Sequence, residues 1–330
     1  MKRVAILDDY QGAALSAAAW SQLDGRAGVD VYRDTLRDQG DLVERLSGYE
    51  ILVLIRERTR FPAPLLARLP RLELLALTGG NRGQVDAAAA TERGILVTDT
   101  EGSGASPVEL TMGLILAVAR RIPQEAAALR SGRWQTSLGV ELEGKTLGIL
   151  GLGRIGSRIG AFGRFLGMRV LAWGPTLTDA RAAASGVSRV SLEQLFRESD
   201  VVSVHLRLSP ASRGLVTAEL LRLMKPTAYL INTARGPIVD EAALVAALAE
   251  RRIAGAGLDV YDVEPLPPDH PFLGPDNAVL TPHLGYVTQE TYRVFFRQVV
   301  ENVSAYLDGR MPPRCINPEA ADRRVRRSAA

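Results

Sequence analysis

Three side chains in the second half of the chain have the types that acid–base and anion-binding chemistry needs: Arg235, Glu264 and His283. An imidazole readily takes or gives a proton near neutral pH, and a guanidinium holds a carboxylate with a fixed fork of donors. A carboxylate beside the imidazole would hold one of its tautomers. Each residue alone also fits a solvated loop, but all three lie past the carboxyl ends of predicted strands. The pattern therefore predicts a site that binds a small acid and moves a proton.

The other two histidines are interpreted differently. His205 ends a predicted buried strand, where a structural or cofactor-side role is expected, and His270 lies in a proline-rich turn that predicts an inert surface position. The chain has one cysteine, Cys315, and no Cys/His cluster with the spacing of a zinc site. No metal is therefore expected.

A glycine-rich turn lies near the middle of the chain, between an apolar run at 146–150 and a predicted helix at 158–166. A strand, a tight turn and a helix in this order bring backbone N–H groups and a helix N-terminus to a pyrophosphate. The turn therefore predicts a dinucleotide site. Its residues are Gly151, Leu152, Gly153, Arg154, Ile155 and Gly156.

The acid that usually binds the ribose is missing. The second strand of the motif is predicted to end near Trp173, and Gly174, Pro175 and Thr176 follow where an Asp or Glu is expected. Without that carboxylate the site loses an acceptor for the ribose 2′-OH and a repulsion against a 2′-phosphate, so NAD and NADP both stay open. The nearby donors that would bind a 2′-phosphate, or simply begin a helix, are Thr176, Thr178 and Arg181.

Short apolar runs alternate with helical segments along both halves of the chain. This alternation indicates two α/β units, each a doubly wound parallel sheet with helices on both faces. The runs lie at 4–7, 29–32, 51–55, 74–77 and 95–98 in the first half, and at 147–150, 170–173, 201–205, 228–232, 257–260 and 278–280 in the second. Because ligands bind where the strands of such sheets end, the candidate residues are expected at one edge.

The segment between the two halves is predicted to begin with a long apolar helix. Ser106 is expected to cap it, Pro107 to occupy its first position, and Ala119 to end it. Because it has no polar face, burial on all sides is expected. The following arm carries Trp134 and is expected to pack on a second subunit. An amphipathic helix at 289–307 is expected to return to the first domain.

Composition and charge argue against several classes of function. The 330 residues carry 40 basic and 37 acidic side chains, and a net charge of +3 does not favour nucleic-acid binding. The N-terminus shows no secretory signal, and the apolar run at 110–119 is about half the ~18 residues that a membrane span needs. A cytoplasmic protein is therefore expected. A basic cluster, interpreted as a solvated tail, comprises Arg323, Arg324, Arg326 and Arg327.

Four segments, 151–156, 231–239, 257–265 and 281–285, together resemble the D-isomer-specific 2-hydroxyacid dehydrogenase family, which includes phosphoglycerate dehydrogenases and hydroxypyruvate/glyoxylate reductases. The resemblance covers nearly the whole chain. It implies a Rossmann cofactor domain at 102–286, inserted into a flavodoxin-like catalytic domain formed by 1–101 and 287–330. It also implies a homodimer built on the arm after Ser106.

Matched position by position, the resemblance assigns Arg235 to the substrate carboxylate and carbonyl, His283 to proton transfer and Glu264 to the orientation of His283. Asp259 corresponds to the residue that holds the nicotinamide carboxamide. Other positions that the resemblance places at the cofactor are Thr233, Ala234 and Gly285.

The loop at 78–86 occupies the place where the family binds the substrate carboxylate with backbone N–H groups, here those of Gly80 and Asn81. It departs from the family pattern, because Asn81 replaces a glycine and Gly83 and Gln84 replace an Asp-Asn pair. The shape of the substrate pocket is therefore expected to differ.

Arginines introduce two further departures. Arg56 or Arg58 is expected to meet a second anionic group on the substrate, with a surface ion pair to Glu57 as the alternative. Arg207 replaces a proline near the adenine side, which suggests a contact to a 2′-phosphate.

These observations predict an NAD(P)-dependent oxidoreductase that interconverts a small 2-oxo acid and the D-2-hydroxy acid. One alternative is formate or phosphite oxidation; the formate branch of the family has Gln where Glu264 stands, which argues against formate. Another is a nucleotide-sensing protein resembling the family's transcriptional corepressors. The intact Arg235, Glu264 and His283 argue against that alternative.

Overall fold

The computed structural model describes residues 1–80 and 82–323. It divides into two compact units: unit 1 comprises Met1–Ser103 and Thr288–Ala330, and unit 2 comprises Gly104–Val287. The boundaries fall at 103/104 and 287/288, against the expected 101/102 and 286/287. Some residues named above lie outside the described ones: Asn81, Arg324, Arg326 and Arg327.

The strands of both units are short and mostly buried, as expected for parallel sheets that are covered on both faces. In unit 1 they are β1 (Lys2–Leu7), β2 (Ala27–Val31), β3 (Ile51–Leu54), β4 (Leu74–Leu77) and β5 (Leu96–Thr98). In unit 2 they are β6 (Thr146–Leu150), β7 (Arg169–Trp173), β8 (Ser188–Arg189), β9 (Val201–Val204), β10 (Tyr229–Asn232), β11 (Gly255–Leu258) and β12 (Ala278–Leu280).

The helices lie between these strands and after the last one. They are α1 (Gln39–Leu46), α2 (Ala63–Ala67), α3 (Ala87–Glu92), α4 (Ser106–Ala119), α5 (Ile122–Arg130), α6 (Arg154–Phe165), α7 (Asp179–Ala184), α8 (Leu192–Glu198), α9 (Ala218–Leu223), α10 (Glu241–Ala249) and α11 (Gln289–Leu307). The predicted amphipathic helix at 289–307 is confirmed as α11, which belongs to unit 1.

Each unit contains one parallel sheet, and both sheets are doubly wound. The strand order in unit 1 is β2-β1-β3-β4-β5, and in unit 2 it is β12-β11-β10-β9-β6-β7-β8. The first order is that of flavodoxin-like sheets, and the second reverses direction beside β6, where such folds bind their ligands. The predicted α/β fold is confirmed.

Three strand predictions need correction. The two-residue strand β8 was not expected, because it is too short to give an apolar run. Strand β9 ends at Val204, so His205 is the first residue after it. Strand β11 ends at Leu258, two residues earlier than predicted, which places Asp259 directly after its carboxyl end.

Two helix starts also differ from the prediction. Helix α6 begins at Arg154, four residues before the expected 158, because Gly153 is its N-cap and the glycine motif itself forms the first turn. Its free N–H groups therefore lie at the turn. Helix α4 ends at the expected Ala119, but it begins at Ser106, one residue before the expected Pro107, and Ala105 is its N-cap.

The surface of α4 is only partly buried in the described chain. Leu114 and Ile115 face the core of unit 2, whereas Leu110, Met112 and Leu116 remain partly exposed, so the expected burial on all sides is not observed within one chain. The apolar exposure continues along the following segment, at Ile122, Leu129, Trp134 and Leu138.

Candidate functional site

His283 and Glu264 form a close pair in unit 2. The Nδ1 atom of His283 lies 2.6 Å from the Oε2 atom of Glu264. Because a carboxylate can only accept, the proton of this bond belongs to Nδ1, and Nε2 is the ring nitrogen left for a ligand. His283 has a left-handed backbone, with φ of 53°, and its ring meets the edge of Tyr286. The pair predicted from the sequence is therefore brought together.

Asp259 fixes the turn that carries His283. Its side chain is fully buried, and its carboxylate accepts hydrogen bonds from the hydroxyl of Thr281 at 2.6 Å and from the N–H groups of Leu284 at 2.7 Å and Gly285 at 2.9 Å. Burial raises the pKa of Asp259, and the bond from Thr281 partly offsets that effect. Asp259 thus holds the 281–285 turn rigidly beside the end of β11.

Arg235 lies on a tightly held loop after β10. The side chain of Asn232 accepts from Ala234 N–H at 3.0 Å and donates to the Arg235 carbonyl at 3.0 Å. A Cβ on Gly236 would overlap the peptide that joins Tyr261 to Asp262, so only glycine lets this loop pack against the loop of Glu264. The loops that carry Arg235 and Glu264 are therefore neighbours.

Thr233, in the same loop as Arg235, contacts helix α4. Its hydroxyl oxygen lies 2.7 Å from that of Thr111 on α4. The sequence pattern alone does not single out two residues in this region, Tyr261 and Thr281. Both stand inside the motif segments, but only their contacts to Glu264, Asp259 and the His283 turn reveal them.

The three motif glycines have different surroundings. Gly151 has φ of 105°, and a Cβ there would lie 2.9 Å from the backbone of His205. A Cβ on Gly156 would overlap the Gly151 carbonyl, whereas one on Gly153 would meet nothing within 4 Å among the described residues. The outer glycines thus allow close packing, and Gly153 leaves open space at the N-terminus of α6. This cradle fits the pyrophosphate of a dinucleotide.

The position of the missing ribose acid is bordered by a guanidinium. Arg181 donates to the carbonyl of Thr176 at 3.1 Å and to that of Leu152 at 3.3 Å, so it bridges the loops after β7 and β6. Thr178 caps α7 by accepting from Arg181 N–H, which is the ordinary helix start considered as the alternative. Gly174, Pro175 and Thr176 bring no carboxylate to this place.

His205 and Arg207 follow β9. The Nε2 atom of His205 lies 2.8 Å from the Ser203 hydroxyl, and burial lowers the pKa of His205 to about 3. The ring is therefore neutral, which suits the predicted structural role. Arg207 is exposed, and its carbonyl accepts from the Ser212 hydroxyl at 2.6 Å. No contact among the described residues joins its side chain to Gly174–Thr176.

His270 is not the surface residue that the sequence suggested. Its side chain is 14% exposed, with Nε2 3.0 Å from a carboxylate oxygen of Glu241. Its Nδ1 atom accepts from Phe272 N–H at 3.2 Å. Both ring nitrogens thus stabilise the segment after β11, which a pattern of prolines alone does not show.

In unit 1, the surroundings of Gly80 are open. The residue is exposed, and a Cβ there would meet nothing within 4 Å among the described residues. The N–H of the preceding Gly79 is already used, because it donates to the Thr100 hydroxyl at 2.7 Å. The partner amide expected at Asn81 lies outside the described residues.

Arg56 and Arg58 point to different places in unit 1. Arg56 has φ of 57° and its guanidinium covers Gly79, where a Cβ would overlap it. Its Nε atom lies 3.3 Å from Glu57, in an ion pair that is mostly buried rather than on the surface. Arg58 donates to the Asp8 carbonyl and stacks on Tyr10. Arg56 is thus the arginine beside the 78–80 turn.

Among the described residues, no helix is long and apolar enough to cross a membrane. Within the same residues, His, Cys, Asp and Glu form no group of three suited to a metal ion.

Comparison with known proteins gives one family and close relatives. Residues 112–285 match the model of the "D-isomer specific 2-hydroxyacid dehydrogenase, NAD binding domain". A glyoxylate reductase of Aeropyrum pernix is 42% identical over 79% of this chain and 81% of its own length. A D-3-phosphoglycerate dehydrogenase of Methanocaldococcus jannaschii is 36% identical over 84% of this chain. The matched region is only 53% of the length of that protein.

A solved structure agrees with these sequence relatives. The crystal structure of a phosphoglycerate oxidoreductase from Vibrio cholerae superposes with a TM-score of 0.90 at 39% identity, over 94% of this chain and 100% of that one.

Proposed function

The chain belongs to the D-isomer specific 2-hydroxyacid dehydrogenase family, and from this premise we propose that it reduces a small 2-oxo acid to the D-2-hydroxy acid with a nicotinamide cofactor. Relatives named glyoxylate reductase and D-3-phosphoglycerate dehydrogenase support an oxidoreductase of 2-oxo and 2-hydroxy acids. The observation that carries the proposal is the 2.6 Å contact between His283 and Glu264, beside the loop of Arg235.

Reduction adds a hydride to the carbonyl carbon and a proton to the carbonyl oxygen. A nicotinamide cofactor held at the glycine turn would supply the hydride. In our proposal, His283 gives the proton from Nε2 while Glu264 holds Nδ1 and stabilises the imidazolium. Arg235 binds the substrate carboxylate and polarises the carbonyl oxygen with its fork of donors. Asp259 holds the turn of His283, and by resemblance it would hold the carboxamide of the nicotinamide.

The cofactor that we propose is NADP(H). The glycine cradle suits either dinucleotide, but the ribose position has the guanidinium of Arg181 within hydrogen-bond distance of both adjoining loops and no carboxylate at 174–176. A cation there favours a 2′-phosphate, and an acid would repel it. Arg207 is less favoured than Arg181, since only Arg181 has described contacts to these loops.

Unit 1 supplies further predicted substrate contacts. The exposed backbone at Gly80 leaves room for a carboxylate, and the guanidinium of Arg56 lies against the neighbouring Gly79. A second anionic group on the substrate would meet Arg56 in competition with Glu57, which already forms an ion pair with it. Binding of the substrate carboxylate by the Asn81 amide stays a prediction. The cytoplasmic location of the protein stays a prediction as well.

We also propose a homodimer that uses α4 and the segment after it. Trp134 is 75% exposed and Leu138 93% exposed, and both follow the partly exposed face of α4. Apolar side chains grouped in this way are typical of an interface.

The proposal is tested by mixing the purified protein with NADPH or NADH and a series of 2-oxo acids: glyoxylate, hydroxypyruvate, pyruvate and phenylpyruvate. We expect oxidation of NADPH, followed at its absorbance, with at least one of them. Tight cofactor binding without any turnover would instead support a nucleotide-sensing protein. Turnover of NADP⁺ with phosphite but none with the oxo acids would support the other alternative.

A further inference from the structure

We propose that Tyr261 is a positioning residue that joins Glu264 to the turn of His283. The inference rests on the proposed function, because it concerns the same proton-transfer pair. Tyr261 itself has no place in the chemistry, and it acts through contacts to the two loops on either side of it.

The backbone of Tyr261 fixes one oxygen of Glu264. Its N–H donates to Oε1 of Glu264 at 3.0 Å, while the other oxygen, Oε2, accepts from Nδ1 of His283 at 2.6 Å. The carboxylate is thus held at both oxygens and cannot rotate away from the imidazole without losing one of the two bonds.

The hydroxyl of Tyr261 fixes the turn of His283. It donates to the Thr281 carbonyl at 3.0 Å, and the Leu258 carbonyl lies farther away at 3.3 Å. A phenol has one proton, so the shorter contact takes most of it. The Thr281 carbonyl is the same oxygen that accepts from the N–H of His283 at 3.0 Å. The hydroxyl therefore holds the atom on which the left-handed backbone of His283 depends.

The surroundings of Tyr261 keep this arrangement stiff. Its side chain is buried, and its ring packs against Phe272. Burial, with the nearby charges of Asp259 and Glu264, raises the pKa of Tyr261, so the phenol stays a donor. Gly236 packs on the peptide after Tyr261, which also brings the loop of Arg235 to this point. Three candidate loops therefore meet at one tyrosine.

Tyr261→Phe tests the proposal, since it removes a single oxygen atom and keeps the ring and the backbone N–H. We expect kcat for oxo-acid reduction to fall about tenfold, while KM for the oxo acid and the dissociation constant of NADPH change less than about twofold. The matched control is Tyr229→Phe on β10, whose hydroxyl has no hydrogen-bond partner among the described residues. Its kcat should stay at the wild-type value.

The path of the effect is tested in a second background. If Tyr261 acts through His283, adding Tyr261→Phe to an enzyme that already carries His283→Gln should lower kcat by less than about twofold. A further tenfold loss of kcat in that double variant would overturn the proposal. An unchanged kcat in Tyr261→Phe alone would overturn it too, as would an equal loss of kcat in Tyr229→Phe.

A measurement without turnover separates this inference from the proposed function. The Nδ1–H proton of His283 should give a downfield proton NMR signal, identified by its loss in His283→Gln, and Tyr261→Phe should shift or broaden it. If the wild type reduces no oxo acid, the proposed function fails, and this signal still decides the role of Tyr261. An unchanged signal would overturn it.

Discussion

The Nδ1 atom of His283 lies 2.6 Å from the Oε2 atom of Glu264, and the backbone of His283 is left-handed at that point. The imidazole is thereby held in one tautomer with Nε2 free to meet a ligand. We expect His283→Gln to lower kcat by about 10²–10⁴-fold, because the proton donor is lost. Glu264→Gln should lower it less, because the amide oxygen can still accept from Nδ1.

The measurement is single-turnover reduction of the oxo acid, with NADPH binding followed by fluorescence in the same samples. Cofactor binding should be unchanged in both variants, since neither side chain lies at the glycine turn. A His283→Gln enzyme with wild-type turnover would contradict the assignment.

The middle and last glycines of the turn should respond differently to an added methyl group. Gly153 faces open space at the N-terminus of α6, so Gly153→Ala should fold normally but weaken cofactor binding about tenfold or more. Gly156 packs on the carbonyl of Gly151, so Gly156→Ala should lower the free energy of unfolding by about 1–3 kcal/mol.

Titration calorimetry with NADPH and thermal unfolding of both variants separate the two effects. Equal losses of stability would show that Gly153 is also a packing position and would remove the argument for a cradle there.

Cofactor choice should depend on Arg181. We expect Arg181→Gln to lower kcat/KM for NADPH about tenfold and to leave that for NADH within about twofold, because a charge-assisted contact to the 2′-phosphate is lost. The matched control is Arg207→Gln, since Arg207 is an exposed arginine of the same unit. Steady-state rates of both variants with NADPH and with NADH decide whether Arg181 or Arg207 sets the cofactor preference. If only Arg207→Gln changes the preference, the assignment belongs to Arg207.

The partly buried imidazole of His205 should make stability fall in acid. Its pKa is about 3 in the folded chain against an ordinary 6.5, so the unfolded chain binds more protons between these values. The stabilisation is complete above pH 6.5 and is lost as pH falls towards 3, with about 2 kcal/mol gone at pH 5.

Urea unfolding at pH 7 and pH 5 measures this difference in the wild type and in His205→Gln, which has no imidazole to protonate. The variant should show a smaller difference between the two pH values. The same pH dependence in both proteins would show that groups other than His205 cause the loss of stability at pH 5.

The proposed dimer should depend on the exposed apolar segment after α4. Leu138→Asp combined with Trp134→Asp places two charges where a partner would bury apolar side chains, so the protein should sediment as a monomer. The control is Phe165→Asp on α6, a side chain that is 84% exposed but outside this segment. Sedimentation velocity should give a dimer for the control and the wild type. A monomeric wild type would remove the proposal.

The sequence predicted most of the fold, because local patterns carry that information. The apolar runs and the helical segments between them indicated two doubly wound sheets, and both sheets are present. The bounds were less accurate. Gly153 caps α6, and the first turn of that helix is made by the motif itself, which an apolar pattern cannot reveal.

The residue types of the candidate site also came from the sequence alone. Each of Arg235, Glu264 and His283 follows a predicted strand, and strands of one parallel sheet end at the same edge. Their chemistry is a property of their side chains, so the sequence was enough to predict a site that binds a small acid and transfers a proton. The glycine turn at 151–156 likewise predicted the dinucleotide site.

The contacts that hold these residues were decided only by the tertiary structure. The hydroxyl of Tyr261 reaches a carbonyl 20 residues along the chain, and the neutral state of His205 depends on its burial in the folded unit. Arg181 gains its place at the ribose position because two loops from different strands offer it carbonyls. Such contacts join groups that are far apart in sequence, and their energies depend on distance and burial, which no local pattern contains.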